Sequence, residues 1–371
     1  MRAIHLAWIS FILPLAAFAQ GPLAPTAAPA PGMKTLAQVE PRTIITGATF
    51  TITQPGSYYL ATNILYGGSS GSGIVIATND VTIDLNGFTL ATTNSSSAGI
   101  DAGASVRNIV IRNGTIRDWG YIGIDLGGSD NCLFEDLLVI SNGYRGIQAG
   151  YNSRVERCSF VGNDDIGFFG FGPNVIVDSS AFRNSRSGFY LVQASTAQRC
   201  VAELNRDSGF EAFSGCVLVD CVAFINLTNG FTVDSGVKLS DCSATENYRD
   251  GIFADEGCHI ERCTTYMNRR NGITVSNDNF VLENHCSTNG PFSTGAGIHV
   301  LGRANRIDGN VVNYNDYGIQ VAGISNLIMR NSAQGNTSSN YFIAGTNSVA
   351  GIAIVGGSGF TNTNPWVNFE L

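Results

Sequence analysis

The chain has 371 residues, 29 acidic against 21 basic, for a net charge of -8, with 13% charged residues and 44 glycines. That balance argues against nucleic acid or an anionic membrane surface as a partner. Abundant glycine without leucine-rich helical periodicity argues for many short strands and turns.

Residues 1–19 carry one positive charge, Arg2, then an apolar run from Leu6 to Phe18 ending in Ala17-Phe18-Ala19. This predicts a cleaved secretory signal, too short to span a bilayer, and a secreted, extracellular or periplasmic protein. No second apolar run is long enough for a transmembrane segment. Residues 20–33, with Pro22, Pro25, Pro29 and Pro31 among alanines, predict an extended spacer. Residues 34–72 alternate apolar and polar positions in short runs and predict an N-terminal cap over an otherwise open coil end.

From Gly73 the chain repeats. Between Gly146 and Gly272 a glycine followed by Ile or Phe recurs every 21 residues without insertion. Counting each glycine as position 0, asparagine recurs at position 17 as Asn163, Asn184, Asn205, Asn226, Asn247, Asn268 and Asn289. In the coil from Gly230, Phe231 and Val233, then Val237 and Leu239, then Cys242 and Ala244 form pairs two residues apart. A step of two is the side-chain period of a strand. Each coil therefore holds three short strands with two inward side chains apiece, and coils bury those faces only by stacking. The predicted fold is all-β: a right-handed parallel β-helix of roughly twelve coils over residues 73–355, its hand following from the preference of parallel connections. The asparagines form a continuous amide ladder at a buried turn. Residues 356–371 predict a C-terminal cap.

On these columns the chain resembles the pectate-lyase-like superfamily of right-handed β-helices over about residues 73–355. The stretch Gln54-Pro55-Gly56-Ser57-Tyr58-Tyr59-Leu60, followed by Val81 to Phe88, is also similar to the N-terminal signature of exported bacterial β-helix proteins. The resemblance implies the fold; lyases, hydrolases, epimerases, phage spikes and binding proteins share it. The chain departs from the enzymes. It has Asn163-Asp164-Asp165 but no Gly-His-Gly, no Arg-x-Lys and no Asp-Pro-His-Asp, and His259, His285 and His299 fall on different faces.

Eight of the nine cysteines map to inward positions, five of them at position 12 with Ser179 on the missing rung. They are expected to act as small buried hydrophobes. Position 11 carries Arg157, Asp178, Arg199, Asp220, Asp241 and Arg262 on successive coils, and opposite charges on neighbouring strands predict a structural row of cross-strand pairs.

The outward positions of the first strand differ. Position 2 presents Phe169, Tyr190, Glu211 and Phe253; position 4 presents Phe171, Phe213, Asp234 and Asp255. Arg206, Asp207, Arg249, Asp250, Arg269 and Arg270 flank them in the adjoining turn. Exposed aromatics in a row beside carboxylates suit sugar faces and hydroxyls. This strip is the expected groove for a polysaccharide or cell-surface glycan, walled by turns holding Trp119 and Tyr121 on one side and Pro291 and Phe292 on the other. Asp234 and Asp255 share a position on adjacent coils, about 5 Å apart at the strand spacing. That separation suits a retaining carboxylate pair, with Glu211 as a third acid, or part of a calcium site. No cofactor is required on this reading, and calcium is an option. With no complete catalytic set, the expectation is a monomeric carbohydrate-binding or surface protein; the alternative is a polysaccharide lyase or glycoside hydrolase.

Overall fold

A residue run that alternates inward and outward at successive positions, and turns three times in 21 residues, can bury its inward side only against another such run. The structure, a computed structural model, describes residues 40–94, 97–291, 294–355 and 362–371 and shows that outcome in the unit Arg42–Leu371. The predicted signal segment, the spacer, Phe292 and most of the C-terminal cap's first half lie outside the described residues. All described strands belong to one parallel stack of about 14 turns, without helix. A representative coil has strands Phe168–Gly170, Val175–Val177 and Ser180–Phe182. Each pairs with the strand 21 residues on: Phe168 with Phe189, Ile176 with Ala197, Ala181 with Ala202. Stacking also takes in segments outside the regular repeat. Phe50–Ile52 pairs with Ile74–Ile76, and Asn368–Glu370 pairs with Ser332–Gln334.

The repeat columns have separate physical causes. The anchor glycine is fixed by crowding: a Cβ on Gly230 would lie 2.6 Å from the Gly251 carbonyl oxygen and 2.8 Å from the Asn247 side-chain nitrogen. Glycine thus makes room for the asparagine ladder. In that ladder Asn205 donates both its backbone N–H and its side-chain Nδ2 to Asn226 Oδ1, at 3.1 and 3.0 Å, while Asn226 Nδ2 donates to the Ala202 carbonyl at 3.0 Å. One amide therefore serves two neighbouring coils. Rings stack in the interior, with Phe210 centred 5.0 Å from Phe189 and 4.9 Å from Phe231.

The position-11 row sits at a corner where the backbone turns left-handed; φ is 51° at Asp178 and Arg199 and 57° at Asp241. Bidentate pairs join Arg157 to Asp136, Arg199 to Asp178 and Arg262 to Asp241 across the coil step. All nine cysteines are free and buried. Burial pushes the Cys158 and Cys286 thiols up to about 12. Eight of the nine are more than inert filler, because their Sγ atoms donate to backbone carbonyls, Cys221 to Ala197 at 3.5 Å for example.

Candidate functional site

Register builds one continuous outward row along the first strands. Phe169, Tyr190, Glu211, Thr232 and Phe253 are successive cross-strand partners. Thr274 and His299 extend the row, and Asp101, Asp125 and Gln148 precede it.

The aromatic part is half-buried, which corrects the expectation of fully exposed rings. Strand spacing brings neighbouring rings into contact: Phe169 stacks on Tyr190 with centroids 4.9 Å apart, Tyr190 meets Phe213 at 4.9 Å, and Phe169 meets Phe171 at 4.8 Å. Each ring covers part of the next, and Phe171, at 39% accessibility, is the most open of the four. The Arg145 guanidinium lies 3.8 Å from the Phe169 ring centre and its Nε lies 3.3 Å from Asp165 Oδ2. Glu211 follows the rings. Burial raises its carboxyl above the usual range, opposed by the Ser187 hydroxyl that donates to it and reinforced by the charge of Asp207.

Toward the C-terminus the row runs into a hollow of about 280 Å³ lined by Asn229, Thr232, Arg249, Asp250, Phe253, Arg270, Thr274, His299 and Leu301. Three expected site residues, Phe253, Arg249 and Arg270, meet here. Asp250 is 2% exposed, and its Oδ1 accepts both the backbone and side-chain N–H of Asn271 at 3.0 and 3.1 Å, with Arg270 Nε at 4.0 Å. Asn229 and Asn271 each donate from Nδ2 to a threonine of the row, Thr232 and Thr274, both at 3.0 Å. Burial lowers the His299 pKa; Asp250 pulls it up and Arg270 pushes it down, so the imidazole is neutral at neutral pH. Arg249 has no side-chain hydrogen bond or ion pair among the described residues.

The sequence reading did not place His299 in this hollow. His299 lies at position 2 of the coil from Gly297, in the aromatic row itself, and the spacing would have shown it had the column been continued past the insertion before Gly297. Asp250 is expected from the sequence only as a charge flanking the strip in the adjoining turn, and no local signal marks its burial. The Asp101–Asp125 pair, directly cross-strand, was also missed although both follow an anchor glycine by two. Burial, then the charge of Asp125, raises the Asp101 carboxyl above its usual range.

Asp234 and Asp255 each follow the Val233 to Ala254 pairing by one residue, on the same edge of the row, but outside the lining of the hollow. Asp234 Oδ1 accepts from Ser235 Oγ at 3.1 Å, and Asp255 is exposed. Among the described residues no three His, Cys, Asp or Glu side chains converge in a metal-holding group. The wall expected from Trp119 does not exist: Trp119 is fully buried, donating from Nε1 to the Leu90 carbonyl at 3.2 Å. Its bulk fills the interior of an enlarged early coil. Tyr121 is 48% exposed and stacks on Tyr144 at 5.2 Å. No helix among the described residues is long and apolar enough to cross a membrane.

Among solved structures, the chain is similar to the A-module of mannuronan C-5 epimerase AlgE6 from Azotobacter vinelandii, at 16% identity and a TM-score of 0.57, over 80% of this chain and 90% of that one. The AlgE4 A-module from the same organism gives 16% and 0.53 over 80% and 91%. A tailspike protein double mutant of E. coli bacteriophage HK620 gives 12% and 0.52 over 81% and 65%. These likenesses concern the fold. No curated protein sequence matches the chain. Residues 52–168, 98–236 and 225–368 match the family described as right handed beta helix region, in overlapping stretches that cover well over half the sequence. The chain belongs to that family of right-handed β-helices.

Proposed function

We propose that this is an exported protein that binds a polysaccharide along the outward face of its first strands, with one unit of the polymer seated in the His299 hollow. The observation that carries the reading is the unbroken register joining the stacked rings of Phe169 and Tyr190 to that hollow on a single face. Aromatic faces offer stacking to sugar rings, and the Thr232 hydroxyl, the His299 imidazole and the two guanidiniums offer hydrogen bonds at a fixed point. Arg249 and Arg270 form a local basic spot on an acidic protein, so an acidic sugar unit can be met there without calcium. The fold likeness to a mannuronan epimerase accords with a polymeric sugar ligand.

Affinity electrophoresis against a polysaccharide panel, with and without calcium, tests this. Tyr190→Ala and Phe253→Ala are each expected to weaken retention by about 1 to 2 kcal/mol through lost contact, while Asp220→Ala, on another face, leaves it unchanged. Retention indifferent to both aromatic changes places the site elsewhere. A second reading, turnover of the bound polymer as a lyase or hydrolase, is favoured by the neutral imidazole of His299 in the same hollow as a buried carboxylate. Loss of turnover with retained binding in His299→Gln assigns chemistry to the hollow; the same pattern in Asp234→Asn or Asp255→Asn assigns it to the outer acids.

A further inference from the structure

A cavity among the C-terminal coils lies on a different face, the outward side of the second strands. It has a volume of about 500 Å³, within the range of small-molecule sites. Its origin is a gap in the charged corner row. Glu283, Gly309 and Arg330 occupy the same left-handed corner on successive coils, with φ of 56°, 71° and 56°. Glycine leaves the middle rung without a side chain, so the space between Glu283 and Arg330 is open.

The walls are organised by one buried carboxylate. Asp308 is 2% exposed and accepts from Arg306 Nε and Nη2 at 3.1 and 2.7 Å and from Arg330 Nε at 2.6 Å and its Nη2. Burial would raise this carboxyl, but hydrogen bonds from the two arginines outweigh burial and hold it below the usual range. Those bonds use Nε and Nη2 of each guanidinium and leave both Nη1 groups as donors. Phe280, cross-strand from Arg306 and 46% exposed, supplies an open ring face, and His259 stands beside it with ring centres 5.8 Å apart.

We infer that this cavity is a second carbohydrate site, taking one or two units of a neutral saccharide. Charge selects the neutral class: two guanidiniums and the carboxylates of Asp308 and Glu283 cancel, leaving no net field to attract an ion. What remains is the pairing that recognises adjacent hydroxyls, guanidinium N–H donors opposite a carboxylate acceptor, beside a ring face for the apolar side of a sugar. The site shares no lining residue with the first-strand hollow, so it stands or falls independently of the polysaccharide reading.

Titration calorimetry of the full chain with cellobiose, maltose, xylobiose and chitobiose, each at low and high salt, tests it. At least one disaccharide is expected to bind with little salt dependence. Phe280→Ala and Glu283→Gln are each expected to weaken that binding roughly tenfold, while Tyr190→Ala leaves it unchanged. Melting midpoints of the variants, whose changed side chains lie at the surface, confirm that they are folded. Absence of binding by all four disaccharides overturns the proposal. So does binding that ignores both cavity substitutions, or binding that collapses with salt.

Discussion

The coils before and after Gly272 solve the same corners with different chemistry. Before it, only the corner leading back to the first strand carries asparagine throughout, and the corner before the third strand carries Cys158, Ser179, Cys200, Cys221, Cys242 and Cys263. After it that second corner changes to Asn284, Asn310, Asn331 and Asn368, and the corner before the second strand carries Asn279, Asn305, Asn326 and Asn347. The bonds are parallel. Cys242 Sγ donates to the carbonyl 24 residues back, Leu218, at 3.6 Å; Asn284 Nδ2 donates to Ile260, also 24 back, at 3.0 Å. The join is direct, since the Cys263 backbone N–H donates to Asn284 Oδ1 at 2.8 Å. A thiol is a weak donor and acceptor, while an amide supplies both functions strongly. Corner geometry therefore dictates a small inward polar atom and tolerates either residue. The interior is interchangeable, and the specific chemistry lies on the outward rows.

Substitutions can break or sharpen that comparison. The largest effect is expected from Asn226→Ala, which removes the acceptor of two Asn205 donors and the donor to the Ala202 carbonyl. Stranding these buried groups should cost about 3 kcal/mol, and an unchanged urea midpoint would refute the ladder's role. Asn284→Cys, which writes the earlier solution into the later coils, should cost less, about 1 to 2 kcal/mol, because the thiol still reaches the Ile260 carbonyl and offers the Cys263 N–H a weak acceptor in place of Asn284 Oδ1, while the donation to Asn310 is lost. A loss equal to that of Asn226→Ala would mean that the two corner chemistries are not equivalent. The smallest effect belongs to the outer corner: Arg199→Ala breaks a bidentate pair with Asp178, but both side chains are nearly half exposed. Solvent screens such pairs, so the melting midpoint should not move measurably.

The fold was legible because a strict 21-residue period aligns glycine, asparagine and cysteine in columns, and each column follows from one packing constraint. Even so, the two later asparagine ladders went unread, because the insertion before Gly297, with one further residue between Gly297 and Asn305, shifts their spacing from 21 to 26 residues just where they begin, at Asn279 to Asn305 and Asn284 to Asn310. The same insertion hid His299. Phe169, Tyr190 and Phe253 were legible from alternation alone. The burial of Asp250 was not, since it depends on Asn271 and Arg270 from the next turn closing over it, a relation between coils that no single repeat displays.

The central claim is a polymer lying along the first-strand row, and the dependence of affinity on ligand length tests it most directly. Six register steps separate Phe169 from His299, about 29 Å at the strand spacing. For oligosaccharides cut from a polysaccharide that the protein retains, calorimetry should show affinity rising with chain length until the chain spans that distance, then levelling. Affinity already complete for a single sugar unit would contradict the groove.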